Sequence, residues 1–167
     1  MSASEPHETR FDGVRVRYDS NKSYDELLAA LLDDIGEQPV SLDDLTKAAD
    51  SWDSYQQRVE PLVGPSGFML FDTFDHGAWI TKAGIDRKVL RVILGNPLIA
   101  ITMLRHDVTA GLFAPVEVLL ADEPGGHSSL TYVMPSSLMV VEPNTELLSA
   151  AKELDAKLAA LAVTVTA

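Results

Sequence analysis

Between Phe71 and Pro115 short apolar runs are cut off by abrupt turns, and that punctuation limits the folds open to this chain. Val89–Leu94 is aliphatic apart from Arg91, and it stops at Gly95-Asn96-Pro97. A run this short, rich in β-branched residues and bounded by turn formers, reads as a strand; with one polar position it predicts burial on both faces. Pro97 lacks an N–H and has its φ fixed, which suits the first turn of a helix. Leu98 to Leu104 supplies that helix, almost entirely apolar. Ahead of it, Phe68–Phe74 reads as a strand that is left through Asp75-His76-Gly77. Beyond Gly111, Val116–Ala121 is a strand, Glu123-Pro124-Gly125-Gly126 a hairpin turn, and Ser129–Met134 the partner strand.

The flanks complete the pattern. Val14, Val16 and Tyr18 alternate with Arg15, Arg17 and Asp19, the period of a half-buried strand. Ser23 and Glu26 form a capping box for a helix whose face is Leu27, Leu28, Leu31, Leu32 and Ile35, ended by Gly36. A second cap, Ser41 to Asp44, opens a polar, acidic helix predicted to extend toward Arg58, with Trp52 and Tyr55 on a sparse apolar stripe. Asn144 caps a terminal helix expected to about Ala162, and the residues after it are expected to fray. Strands joined by hairpins, with helices between them, predict an α+β two-layer sandwich: an antiparallel sheet of about five strands packed by helices. The expected organisation is a disordered leader over residues 1–10 and a single domain over 11–167, with an acidic helical insert at about 41–62.

Composition removes several classes of function. Hydrophobic residues make up 46% of the 167, enough for a core. With no cysteine there is no disulfide framework, thiolate zinc site or cysteine nucleophile. The net charge of −12 repels phosphate backbones and anionic bilayers, so neither nucleic acid nor membrane is expected as a partner. No segment has the basic and apolar parts of a signal peptide, and the apolar runs are too short to span a bilayer. The expected location is cytoplasmic.

An ordered set of motifs then points to a family. Asp75-His76-Gly77-Ala78, Gly84, Leu94-Gly95-Asn96-Pro97, Leu112-Phe113-Ala114-Pro115, Gly125 and Tyr132 together resemble the bacterial domain of unknown function 302. The resemblance covers residues 67–140 best, is weak over residues 1–40 and is absent over 41–62. It implies a curved antiparallel sheet related to the TATA-box-binding protein fold, and small homo-oligomers, often dimers; it implies no activity. Two positions depart from the family pattern: Ala100-Ile101 stands where the family has Gly-Thr, and the Arg-His after the last strand is missing around Val140 to Glu142.

Asp75 beside His76 is the strongest candidate for chemistry, since a carboxylate can orient an imidazole as a general base. The competing reading is structural, with Asp75 capping the next turn. Neighbours on an extended strand point opposite ways, so the pair cooperates only within a turn. No two histidines have a metal-ligand spacing, and no metal is expected. Without a dinucleotide fingerprint, phosphate loop or nucleophile elbow, no cofactor is expected, and any reaction would be hydrolytic, isomerising or lyase-like. Asn96, Trp79, Tyr132, Trp52 and Tyr55 are the candidate ligand-binding residues. The sequence thus leaves two functions open. One is binding of a small apolar or aromatic molecule in a groove between sheet and helices, with His76 and Asp75 as its polar groups. The other is a non-catalytic oligomerisation or accessory subunit that uses the acidic insert, with Trp52 and Tyr55, as its partner face.

Overall fold

The computed structural model describes residues 4–167. Part of the expected leader, residues 1–3, lies outside the described residues; residues 4–14 form no helix or strand. The elements are β1 Arg15–Ser20, α1 Tyr24–Ile35, α2 Leu42–Ala48, α3 Trp52–Val59, β2 Met69–Asp75, α4 His76–Ile80, β3 Val89–Gly95, α5 Pro97–Leu104, β4 Val116–Glu123, β5 His127–Val133, α6 Pro135–Met139 and α7 Thr145–Thr166. The five strands make one antiparallel sheet in the order β1-β5-β4-β3-β2.

The helices cover one face of this sheet. Leu27, Leu31 and Ile35 of α1 and Leu147, Leu154, Leu158 and Leu161 of α7 are buried against Leu90, Val92, Leu94, Val118, Leu120 and Leu130. Among the described residues no helix covers the opposite face of β3, and that corrects the expectation for this strand. Its residues alternate: Leu90, Val92 and Leu94 are buried, whereas Val89, Arg91 and Ile93 are half-buried on the open face. A two-layer fold buries a strand on one side only, however apolar its sequence.

Three further expectations shift. The acidic helix breaks at Ala49–Asp50, because Ser51 caps a new helix by accepting the Ser54 N–H through Oγ at 3.1 Å. The terminal helix continues to Thr166, since Val165 is buried and the Ser20 hydroxyl donates to the Thr166 carbonyl at 2.7 Å. Met134-Pro135 after β5 starts a short helix, α6, that the sequence pattern did not mark. Among the described residues no helix is long and apolar enough to cross a membrane.

Candidate functional site

An irregularity in β2 prepares an apolar groove. Leu70 pairs with Leu94 and Asp72 with Ile93, leaving Phe71 as an extra residue in a bulge. Bulges re-aim side chains, and Phe71 lines a groove at this end of the sheet. Gly95 makes room for it: a Cβ there would lie 3.1 Å from the Phe71 ring and 3.2 Å from Pro115. The floor and near wall are Pro97, Ala100, Ile101 and Leu104 of α5. The far wall is α3, where Trp52 and Tyr55, one turn apart, stack with centroids 5.7 Å apart and planes at 26°. The groove has a volume of about 380 Å³, and Trp52 is 46% exposed at its mouth.

This groove is nearly devoid of free polar groups. Asn96 caps α5 by accepting the Leu98 N–H through Oδ1 at 2.8 Å, and its Nδ2 donates to the Gly67 carbonyl at 3.0 Å. Its amide is spent on structure. Tyr55 contributes the one titratable side chain of the lining.

The Asp-His motif lies elsewhere. Asp75 and His76 sit at the other end of β2, roughly 13 Å beyond Phe71 at ordinary strand rise. The Asp75 carboxylate accepts the Ala78 N–H at 3.0 Å and caps α4. The His76 ring instead meets Trp79: the indole N–H donates to Nδ1 at 3.2 Å, with the rings edge to face at 6.1 Å. That bond leaves the neutral imidazole's proton on Nε2. Gly77 packs α4 directly onto the chain, since a Cβ would come within 2.7 Å of the Arg87 carbonyl. Trp79 is 59% exposed and lines no cavity with the other candidates.

Of the residues singled out by sequence, the groove unites Trp52, Tyr55 and Asn96. His76, Asp75 and Trp79 form a separate exposed cluster. Tyr132 belongs to neither: it is 5% exposed on the helix-covered face, stacked on Tyr18 at 6.3 Å, and burial with a bond to Tyr18 pushes its hydroxyl pKa upward. Tyr24 is likewise pushed up to about 12, by burial and then by the charges of Asp75, Asp25 and Asp122. Ile101, Leu104 and Pro115 were not picked out, because nothing local marks which side of an apolar helix stays open; Phe71 stands out as an aromatic strand residue, but not as a bulge. A larger hollow of about 760 Å³ beside His127 is polar, but its cations are occupied. Arg17 pairs with Asp19 and Glu123, and the Lys22 ammonium donates to the Val165 and Ala167 carbonyls.

Fold and cavity together define a two-layer α+β domain with an apolar groove at one end of its sheet. The family model described as "Domain of unknown function DUF302" matches residues 45–165, and the chain belongs to that family. The matched span begins within the segment expected to be an insert, so α3 with Trp52 and Tyr55 falls inside it. The chain is also similar to a crystal structure of an uncharacterized conserved protein DUF302 from Bacillus stearothermophilus. That similarity has a TM-score of 0.63 at 16% identity, over 90% of this chain and 97% of the other. At that identity it speaks for the fold alone. No curated protein matches the chain.

Proposed function

We propose that this domain binds a small, neutral, apolar or aromatic molecule in the groove between α3 and α5. The observation that carries this reading is the lining: an open Trp52–Tyr55 stack facing apolar side chains across about 380 Å³. That volume lies within the range of small-molecule sites, and aromatic walls supply much of their affinity. The reading is binding without turnover. Acid–base chemistry needs a titratable group within hydrogen-bond reach of the reacting atom; the lining offers the Tyr55 phenol with no second titratable group to work with it, and the Asp75–His76 pair lies at the other end of β2.

The test uses the intrinsic fluorescence of Trp52, isolated by a Trp79→Phe variant, since the chain has two tryptophans. Titration with N-phenyl-1-naphthylamine is expected to quench Trp52 saturably. Adding Trp52→Ala to the same background is expected to weaken probe binding, read from probe emission, by about tenfold, the loss of roughly 1.4 kcal/mol of stacking and burial. Quenching that rises linearly without saturation would sink the proposal.

A further inference from the structure

We infer that the open face of the sheet holds a second binding site, for a small organic anion with an apolar body, and that Arg15 receives its charged group. The face carries a separate groove of about 520 Å³ at the Arg15 end of β1, beside the start of β4 and the end of β5. Leu119 and Val133 are in its floor, and Phe113 and Leu138 are apolar side chains of its border. Phe113 is held in place by Phe11, edge to face at 6.3 Å. This groove shares only Pro115 with the lining of the first.

Charge selects the ligand. The chain carries a net −12, yet the charged lining of this groove is two guanidiniums, Arg15 and Arg91, against one carboxylate, Glu117. Glu117 is consumed by Arg91 in a two-point pair, Nε to Oε2 at 2.7 Å and Nη2 to Oε1 at 2.5 Å. Arg91 also lies over the Phe74 ring at 5.4 Å. The other sheet-borne or sheet-adjacent cations, Arg17, Arg87 and Lys88, each have a carboxylate partner as well. Arg15 has none among the described residues. A guanidinium offers a planar fork that fits a carboxylate or sulfonate at two points. The strand register puts Arg15 beside Val133, and one row along the same face Thr131 lies beside Leu119 on β4. A ligand with its charge on Arg15 therefore lays its body along Val133 and Leu119 toward Phe113. Arg91 is three strands away and level with Arg17, so its backbone is roughly 16 Å from that of Arg15 at ordinary strand spacing and rise, and its guanidinium is already held by Glu117.

The test pairs two probes that share one ring system: 8-anilinonaphthalene-1-sulfonate and its neutral parent, N-phenyl-1-naphthylamine. On the full chain, Arg15→Gln is expected to raise the Kd of the sulfonate about tenfold, the size of a lost charge-assisted hydrogen bond. The neutral probe is expected to stay within about twofold. Arg15→Lys should recover part of the loss, and Trp52→Ala should leave the Arg15-dependent part in place. Arg15 is exposed on an edge strand, so an unchanged thermal melt verifies that the variant folds. Three results would each overturn the inference: no saturable binding of the sulfonate, the same Kd in Arg15→Gln as in the parent, or a chain that sediments as a dimer and binds the sulfonate only when diluted to monomer. The last would give the face to a second copy. Loss of the neutral probe alone would count against the groove at Trp52 and leave this site standing.

Discussion

The Asp-His-Gly motif separates into three residues with three different jobs. Asp75 satisfies an N–H at the start of α4, His76 receives the Trp79 indole, and Gly77 lets backbone approach backbone. Only Gly77 has no substitute, because the atoms a Cβ would meet are the Arg87 carbonyl at 2.7 Å and the Val89 nitrogen at 3.0 Å, both main chain. Gly77→Ala is expected to destabilise the fold by about 2 kcal/mol, the usual cost of overpacking a site that cannot yield. His76→Ala gives up one exposed hydrogen bond and is expected to change stability by less than about 0.5 kcal/mol. Urea unfolding of both variants checks the contrast. Equal losses, or a larger loss at His76, would mean that the imidazole holds more than the Trp79 contact. The same division explains what could be read in advance. A capping Asp and a turn Gly announce themselves locally. Whether a neighbouring histidine meets a carboxylate or an indole depends on how tightly the next turn winds, and the pattern carries no record of that.

At the scale of elements, the sequence shows most where side-chain and backbone rules agree. Ser23 with Glu26, Asn96 with Pro97, and Asn144 all cap helices as their patterns indicate. The apolar groove was half visible: Trp52 and Tyr55 stand out as aromatics in an acidic helix, but the surface they face comes from Phe71, Ile101 and Pro115, distant in sequence and brought together beside a β-bulge. The break before α3 matters most. Had one helix run on from Ser41, the helix phase at Trp52 would have been set by Leu45; instead Ser51 resets it and Trp52 and Tyr55 face α5. Ser51→Ala removes that reset and is expected to cost about 1 kcal/mol. The loss should be local, seen as faster amide exchange across Trp52–Val59 with exchange in β3 and α7 unchanged. A uniform rise in exchange over the whole chain would show instead that α3 unfolds only with the domain.

For the molecule as a whole, charge sets a term that no single contact reveals. Twelve excess negative charges make about 66 mutual pairs, each worth about 0.2 kcal/mol at roughly 20 Å in water. Unfolding spreads the charges apart and relieves part of this, so repulsion favours the unfolded chain at low ionic strength. Against it stand the ion pairs Arg17–Asp19, Lys88–Asp25, Arg87–Asp122 and Arg91–Glu117, all substantially exposed and therefore individually weak. Salt screens both, but it acts most on separations beyond a Debye length, about 30 Å at 0.01 M and about 8 Å at 0.15 M. The long-range repulsion is therefore lost first, while the contact pairs at 2.5–3.1 Å largely persist. Raising sodium chloride from about 0.01 to about 0.15 M is expected to raise Tm by several degrees, at about 2–4 °C per kcal/mol for a domain of this size. A Tm that falls over that range would mean that the paired charges outweigh the excess, and that the open sheet face owes its shape to them.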